Sequence, residues 1–299
     1  MATTLVIGGT GVLGREIVGR LRAEGRSVRA LVRAHSDPGK VQALRDAGAD
    51  IVEGDLKDPD TLPAACAGVT HVVSTASSTL SRGEGDTIDS VDRQGQLNLI
   101  EAARKAGAQQ FVLVSFPPGS LPFPLQDAKR AAEDALRASG MPYTILQPTH
   151  FWEIWCSPAL GFDSQARTAR IFGDGTAPMQ WVSFFDVAAA VVRSLDNPAV
   201  INRSLTIGGP APLSQLDIVR VFEDVGGQPF AREHVPLDIL RSQYETVGDP
   251  LQQSFIALML LVASGEWVFD NADVQAALGL TPTPIEAFAR FVYAGSASA

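Results

Sequence analysis

Short apolar runs alternate with longer amphipathic segments over residues 3–147. The predicted strands are TLVIG, SVRALV, DIVEG, THVVST (70–75), QFVLVS (110–115) and YTILQ (143–147). The segments between them carry apolar residues at helical spacing, and the longest predicted helices lie at about 86–106 and 126–139. Strands that alternate with helices in this way predict an α/β fold with six strands in a doubly wound parallel sheet.

This alternation ends after Pro148. An irregular stretch rich in Phe, Trp, Gly and Pro follows, and WVSFFDVAAAVVRSL (181–195) predicts a turn that leads into a helix. Further along, SLTIGG (204–209) predicts a strand, and the segments 213–227, 237–246 and 251–264 predict helices. We therefore expect a larger part over 1–150, to which 183–200 returns, and a smaller, mixed α/β part over 151–299.

Composition and charge narrow the class of protein. Of 299 residues, 45% are hydrophobic and 19% are charged, which is enough for a sizeable core. Lysine and arginine number 24 against 33 acidic residues. The resulting net charge of −9 is opposite in sign to the basic surface that binds nucleic-acid phosphates, so we expect no nucleic-acid partner.

The cysteines and the apolar runs bear on metal binding and on the location of the protein in the cell. Cys66 and Cys156 lie far apart and outside any Cys–His cluster, so neither a disulfide framework nor a metal site is expected. We find no signal-peptide pattern and no uncharged run that suits a membrane span. The sequence therefore predicts a cytoplasmic protein without membrane contact. The oligomeric state stays open, and a homodimer is compatible with the sequence.

A glycine-rich turn, GGTGVLG (8–14), joins the first predicted strand to the first predicted helix. Its glycines, Gly8, Gly11 and Gly14, follow the pattern GxxGxxG. Glycine here permits a tight turn and close approach of the backbone to a pyrophosphate, which the N–H groups of the helix N-terminus can bind. Because the motif lies between a strand and a helix, it predicts a dinucleotide site on a Rossmann-type sheet. A merely tight turn is the alternative.

A basic residue ends the second predicted strand, where NAD sites commonly place an acid. Arg33 follows the first motif glycine by about 25 residues. Its guanidinium favours a 2′-phosphate, so it predicts NADP(H), unless Arg33 is solvated or stacks on adenine. Asp55, in the GDL that follows the third strand, is either a hydrogen-bond partner for the adenine amino group or an ordinary loop residue.

Four stretches together resemble the NmrA-like group of atypical short-chain dehydrogenases, which includes relatives of isoflavone and quinone reductases. They are LVIGGTGVLGREIVGRLRAEGRSVRALVR (5–33), VEGDLKDPDTL (52–62), LNLIEAARKAGAQQFVLVSF (97–116) and AKRAAEDALRASGMPYTILQPTHF (128–151). The resemblance implies that the first 150 residues bind NADP(H) and that the smaller C-terminal part binds the substrate.

The resemblance also implies a role for each residue that matches a family motif. The residues expected to contact NADP(H) are Gly8, Thr10, Gly11, Val12, Leu13 and Gly14 at the pyrophosphate, Arg33 at the 2′-phosphate, Asp55 and Leu56 at the adenine, Ser74, Thr75, Ala76 and Ser115 along the cofactor, and Lys129, Gln147, Pro148, Thr149 and Phe151 around the nicotinamide.

The sequence departs from the short-chain dehydrogenase pattern at the proton donor. Those enzymes carry a Tyr-x-x-x-Lys pair in which the tyrosine protonates the carbonyl oxygen. Here Lys129 occupies the lysine position, but Leu125 stands four residues before it. Ser115 matches the serine at the strand end, and it is followed by Phe116, a candidate wall of the substrate site, rather than by a second small polar residue.

Lys129 is the first candidate catalytic residue. It shares a helix face with Ala132 and Leu136, whereas the other charged residues of the segment lie on another side. We therefore expect an inward side chain that binds the nicotinamide ribose, orients a substrate oxygen or donates a proton. A solvated helix lysine is the alternative.

Residues after the sixth strand are further candidates. His150 lies beside the predicted nicotinamide site and is a candidate proton donor, with a packed or solvated histidine as the alternative. Trp152 and Trp155 are candidate walls of an apolar substrate cleft, although core packing accounts for them equally well. Cys156 has no neighbouring base and is expected to be a small buried hydrophobe.

The leading hypothesis is an NADPH-dependent oxidoreductase that transfers hydride to an apolar, conjugated or aromatic small molecule, such as a quinone, enone, imine or carbonyl compound. Loss of the tyrosine favours acceptors that need little protonation, or a proton from Lys129, His150 or water. The alternative is a non-catalytic, NmrA-like regulator that senses NADP and binds a protein partner. A redox-neutral isomerisation with tightly held cofactor is a third hypothesis.

Overall fold

Strands and helices alternate through the first half of the protein. The structure, a computed structural model, describes residues 2–80 and 82–296. The elements up to Pro148 are β1 (Thr3–Ile7), α1 (Val12–Ala23), β2 (Ser27–Val32), α2 (Pro38–Asp46), β3 (Asp50–Glu53), α3 (Leu62–Cys66), β4 (His71–Ser74), α4 (Gln96–Lys105), β5 (Gln110–Val114), α5 (Pro124–Ala138) and β6 (Tyr143–Pro148). All six predicted strands are confirmed.

The helix predicted over 86–106 consists of two parts. A π-helical segment, Ile88–Gly95, precedes α4 without a break. Thr87 and Ser90 cap its start reciprocally, since the Ser90 backbone N–H donates to Thr87 Oγ1 and the Thr87 backbone N–H donates to Ser90 Oγ. A π-helix has a wider turn than an α-helix, and such segments are frequent at functional sites.

The second half adds shorter strands and more helices. Its elements are β7 (His150–Phe151), α6 (Trp152–Trp155), β8 (Phe162–Asp163), β9 (Thr168–Phe172), β10 (Trp181–Val182), α7 (Phe184–Ser194), β11 (Arg203–Ile207), α8 (Gln215–Gly226), β12 (Ala231–Val235), α9 (Leu237–Thr246), α10 (Pro250–Ser264), α11 (Ala272–Leu278) and α12 (Ile285–Ser296). Within the described ranges, no helix has the length and apolar character needed to cross a membrane.

Seven parallel strands form the main sheet, in the order β11-β6-β5-β4-β1-β2-β3. The prediction of a doubly wound parallel sheet is confirmed, but the count of six strands omitted β11, which pairs with β6. Strand order reverses between β1 and β4, and ligands of such sheets bind in the crevice at the carboxyl ends of the strands there. The two smaller sheets are β10-β7 and β12-β9-β8.

Helices cover both faces of the main sheet. Apolar residues of α1, α2 and α7 form one buried cluster with the strands, and residues of α3, α4 and α5 form another on the opposite face. A third cluster joins residues of the second half to Phe123, Leu125 and Ala128 at the start of α5. It is rich in aromatic rings, such as Phe162, Phe222 and Phe230. Helix α7 therefore packs with the main sheet although it lies after residue 150.

The strands β8, β9 and β12 were not predicted from the sequence. The segment AREHV of β12 is mostly exposed and shows no apolar alternation. It becomes a strand through parallel pairing with β9, which lies about sixty residues earlier in the chain. Local residue patterns carry no information about such pairing.

The β1–α1 turn yields a stability prediction. A Cβ at Gly14 would lie 2.1 Å from the carbonyl oxygen of Gly8, whereas a Cβ at Gly19, in the same helix, would meet no atom within 4 Å. We expect Gly14→Ala to lower the free energy of unfolding by about 2 kcal/mol because backbone atoms must shift. Gly19→Ala should raise it by up to about 1 kcal/mol because alanine favours helix.

Urea denaturation of both variants and the parent, followed by circular dichroism, measures these changes. Equal effects of the two substitutions would contradict the close contact at Gly14.

Candidate functional site

The carboxyl ends of β1 and β4 meet at the glycine-rich turn. Gly8 has a φ of +83°, which disfavours any other residue. A Cβ there would lie 2.6 Å from Thr75 Oγ1 and 3.1 Å from the backbone nitrogen of Ala76. Thr75 is fixed because its Oγ1 and its backbone N–H both donate to the carbonyl of Ile7. The structure thus brings together the first motif glycine and the loop after β4.

The start of α1 presents backbone N–H groups without a side-chain cap. Gly11 is the N-cap residue, and no side chain accepts a hydrogen bond there. Thr10 and Leu13 are half-buried, and Val12 is 55% exposed, which is high for a valine at the start of a buried helix. Uncapped N–H groups at a helix N-terminus attract anions, so the turn can bind a phosphate or pyrophosphate.

Arg33 does not stand free at the end of β2. Its Nη1 donates to Asp86 Oδ2, and the Nζ of Lys57 lies 2.7 Å from Asp86 Oδ1. Burial raises the pKa of Asp86, but the hydrogen bonds from Lys57, the Gly83 backbone and Arg33 outweigh burial and lower the pKa to about 2. The sequence analysis expected Arg33 to be available to a phosphate and did not identify Asp86 as its partner. Asp86 lies in the loop after β4, fifty-three residues away in sequence.

The GDL segment after β3 makes contacts within the protein. Asp55 is half-buried, and its Oδ1 accepts the backbone N–H of Lys57. Leu56 is buried. A Cβ added at Gly95 would lie only 2.9 Å from the Cβ of Leu56. Leu56 therefore packs against the π-helical segment as a core residue, while Asp55 orders the turn that carries Lys57.

The loop Ser74-Thr75-Ala76 is held by a glutamine that sequence analysis missed. Gln96, at the start of α4, is fully buried. Its Oε1 accepts from Ser74 Oγ at 2.9 Å, and its Nε2 donates to the carbonyl of Ala76 at 3.2 Å. The loop conformation beside Gly8 thus depends on a side chain from the following helix.

Lys129 is buried and ion-paired. Its Nζ lies 3.1 Å from Oδ1 of Asp92, and the exposed fractions of the two side chains are 6% and 0%. The other oxygen of Asp92 accepts the backbone N–H and the hydroxyl of Ser78, at 2.9 and 2.7 Å. The inward orientation expected for Lys129 is thus observed, with Asp92 as a partner that the sequence analysis did not identify.

The sequence does contain a signal for Asp92. The residues Ile88, Asp92, Gln96 and Ile100 follow one another at intervals of four and are all buried. Two polar residues on an otherwise apolar helix face require buried partners, because an unpaired buried charge is costly. Sequence inspection alone could have flagged both residues on this basis.

Ser115 and Gln147 belong to a second buried polar network. Arg130 Nη2 donates to Ser115 Oγ at 3.0 Å and to the Phe116 carbonyl. Gln147 Nε2 donates to Oε1 of Glu133, whose exposed fraction is 1%. The side chains of Ser115 and Gln147, which are both expected to contact the cofactor, therefore form hydrogen bonds with residues of α5.

The remaining expected cofactor residues follow from β6 into β7. Pro148 and Thr149 are buried, and the Thr149 backbone N–H donates to the carbonyl of Ile207 in β11. Phe151 is half-buried and packs with the cluster formed by α1 and α7. The new strand β11 thus fixes the backbone just before His150.

His150 is buried among tryptophan rings. The centroids of Trp155 and Trp267 lie 4.5 and 4.7 Å from its ring, and that of Trp181 lies 5.8 Å away. Burial lowers the pKa of His150 to about 3. The ring is therefore uncharged at neutral pH, which argues against His150 as the proton donor.

The candidate substrate residues separate into two groups. Phe116 stacks on Phe123 and lies 6.0 Å from Trp267, so Trp267 connects Phe116 to His150 and Trp155. Trp152 is instead 1% exposed and stacks on Phe288, so it is a core residue. Trp267, which follows α10, was not identified from the sequence.

A small cavity adjoins this aromatic group on the side of β9 and α8. Trp155, Phe172 and Trp181 line it, together with Cys156. Burial raises the pKa of the Cys156 thiol, which keeps it protonated and unreactive. Across the described ranges, no group of three or more His, Cys, Asp and Glu side chains is arranged to hold a metal ion.

Comparison with known proteins places the chain in a family. The model of the NmrA-like family matches residues 1–289. The chain belongs to this family. The resemblance drawn from the four sequence stretches is therefore confirmed over nearly the whole length.

Individual members of the NmrA-like family differ in what they do. This chain is 32% identical over 250 residues to photosystem II assembly factor Ycf39 of Trieres chinensis, which covers 82% of this chain and 75% of that protein. It is 28% identical over 248 residues to NAD(P)H azoreductase of Xenophilus azovorans, with 82% of each chain covered.

Solved structures share the fold. That of the NADPH-dependent quinone oxidoreductase QOR2 from Escherichia coli, complexed with NADPH, matches with a TM-score of 0.78 at 19% identity and covers 97% of this chain and 99% of the other.

The buried ion pair of this NmrA-like protein yields a stability prediction. Asp92→Asn retains an acceptor for Ser78 but leaves the Lys129 charge unpaired. We expect the free energy of unfolding to fall by about 3 kcal/mol in urea denaturation. Asp89→Asn is the matched control, because Asp89 lies in the same π-helical segment with a side chain that is 78% exposed. An effect of Asp92→Asn no larger than that of the control would show that the pair contributes nothing to stability.

Proposed function

We propose that this NmrA-like protein is an NADPH-dependent reductase of apolar, conjugated or aromatic small molecules. The observation that carries the proposal is the buried Lys129–Asp92 ion pair. The same protein has a glycine-rich turn at the β1–β4 crevice, where the N-terminus of α1 has no side-chain cap. A buried, ion-paired lysine contributes little to stability that an apolar residue could not supply, so its retention favours a chemical role.

The residues around the glycine-rich turn fit a dinucleotide. Gly8 and Gly14 let the turn lie in close contact with the loop after β4 and with the start of α1, and the N–H groups of α1 are uncapped. The cations Arg33 and Lys57 lie after β2 and β3, where the ribose of a dinucleotide binds in this fold. We propose that 1–150 together with 183–200 holds NADPH and that the rest of 151–299 holds the acceptor.

When bound, NADPH would supply a hydride, and reduction of the acceptor needs one proton in addition. We assign the proton to the ammonium of Lys129, since Leu125 is buried in the core at the position of the absent tyrosine and His150 is uncharged. Asp92 would hold the ammonium in place and stabilise its charge until the transfer. Solvent would then return the proton to Lys129.

The acceptor class is proposed from the aromatic residues beside the site. Phe116, Trp155 and Trp267 offer flat apolar surfaces, which favour quinones, azo compounds, enones and imines over small polar carbonyl compounds. The azoreductase relative and the quinone oxidoreductase structure support this class. We propose a cytoplasmic setting, since both cysteines are free.

A second candidate function is a dinucleotide-binding protein that acts through a protein partner. The similarity to assembly factor Ycf39 favours it, as does the absence of the catalytic tyrosine. Such a protein would bind NADPH but would not oxidise it with any of the acceptors.

Coenzyme oxidation separates the two candidates. We expect the purified protein to oxidise NADPH with at least one quinone, azo dye, enone or imine, followed at the absorbance of the nicotinamide. Tight NADPH binding without oxidation across the panel would favour the partner-binding candidate.

Replacement of Arg33 tests the coenzyme preference. We expect Arg33→Ala to raise the Kd of NADPH about tenfold and that of NADH less than twofold, because only NADPH carries the 2′-phosphate. Equal weakening of the binding of both coenzymes would refute the assignment of Arg33.

Replacement of Lys129 tests the proton donor. We expect Lys129→Met to lower kcat about 100-fold while the Kd of NADPH changes little, because the proton is lost and the phosphate contacts remain. Lys105→Met is the control, since Lys105 is 70% exposed at the end of α4.

Lys129→Met leaves Asp92 unpaired, so the double variant with Asp92→Asn removes both charges and tests activity in a more stable background. Unchanged kcat in both Lys129 variants would exclude Lys129 as the donor.

A further inference from the structure

Two cations converge on one buried carboxylate. The side chain of Asp86 is 1% exposed, and both its oxygens are engaged: Lys57 Nζ lies 2.7 Å from Oδ1, and Arg33 Nη1 donates to Oδ2. The backbone N–H of Gly83 donates to Oδ2 as well, at 2.6 Å. The side chains of Arg33 and Lys57 keep exposed fractions of 26% and 23%, so both reach the surface.

This donor set suits an anion with more oxygens than a carboxylate. A guanidinium, an ammonium and a backbone N–H are the groups that bind phosphate monoesters in proteins. The three come from different elements, since Arg33 follows β2, Lys57 follows β3 and Gly83 lies in the loop after β4. Their convergence is thus a product of the fold.

The turn that carries Asp86 holds its shape by itself. The Asp86 backbone N–H donates to the Gly83 carbonyl, and Gly85 has a φ of +72°. The oxygen of an asparagine at position 86 can still accept the Gly83 N–H. The turn therefore does not require the charge of Asp86, and the charge acts on Arg33 and Lys57.

We propose that Asp86 competes with the 2′-phosphate of NADPH for Arg33 and Lys57 and thereby sets the preference between NADPH and NADH. Lys57 is then the second phosphate ligand beside Arg33. NADPH must displace the carboxylate, whereas NADH leaves the Asp86 contacts intact. This inference rests on the proposed dinucleotide site and adds to it a residue that weakens the affinity for one coenzyme.

Coenzyme affinities of the full-length protein test the competition. The Kd values of NADPH and NADH are measured by quenching of tryptophan fluorescence, and those of 2′,5′-ADP and ADP by calorimetry, for the parent, Asp86→Asn and Lys57→Met. Asp89→Asn and Lys105→Met are the matched controls, because each is an exposed residue of the same type outside the site.

We expect Asp86→Asn to lower the Kd of NADPH and of 2′,5′-ADP about tenfold, while the Kd of NADH and of ADP stays the same or rises. Lys57→Met should raise the Kd of NADPH about tenfold and leave that of NADH unchanged. Both controls should match the parent.

An unchanged or higher Kd of NADPH in Asp86→Asn, or equal tightening of both coenzymes, would overturn the competition. If Asp86→Asn does not fold, Lys57→Met decides, and an unchanged Kd of NADPH in that variant overturns the proposal. A parent protein that binds neither coenzyme would refute the dinucleotide site itself, whereas a parent that binds NADPH and an unaffected Asp86→Asn would refute only the role of Asp86.

Discussion

Close contact between α1 and the end of β1 is the constraint on which the site depends. A side chain at Gly14 would overlap the carbonyl of Gly8, so only glycine lets the helix begin directly at the edge of the sheet. That approach places the uncapped N–H groups of α1 beside the loop after β4. Gln96 holds this loop from the opposite side through Ser74 and Ala76. The glycine-rich turn and the loop after β4 are thus packed together, and a side chain at Gly8 or Gly14 would force neighbouring atoms to move.

The segment between β4 and α4 supplies the charges that organise the crevice. Asp86 binds the cations after β2 and β3, and six residues later Asp92 binds Lys129 of α5. The π-helical segment carries the second of these carboxylates to a fully buried position. One segment thus meets both ends of the proposed coenzyme site: the phosphate end through Asp86 and the reaction end through Asp92. In an NmrA-like fold without the usual tyrosine, we propose Lys129 as the group that supplies the proton.

Membership of the family does not decide between an enzyme and an assembly factor, since relatives of both kinds match this chain at similar identity. The physical difference that we propose lies in the buried Lys129 and in a group of aromatic residues. An assembly factor needs neither a buried ammonium nor aromatic walls formed by Phe116, Trp155 and Trp267. Hydride transfer, in contrast, requires dry and apolar surroundings, which these side chains supply in the function that we propose.

The sequence by itself determined the alternating strands and helices, the glycine-rich turn, the family and the inward face of Lys129, because each of these depends on residues close together in the chain or on a contiguous motif. Tertiary structure alone decided the partners of the charged residues. Asp86 meets Arg33, and Asp92 meets Lys129, across separations of more than thirty-five residues, and β11 joins the sheet beside β6. The burial that keeps His150 uncharged at neutral pH also comes in part from Trp267, which lies in a distant segment. Such pairings depend on how the elements pack, and local periodicity does not encode that packing.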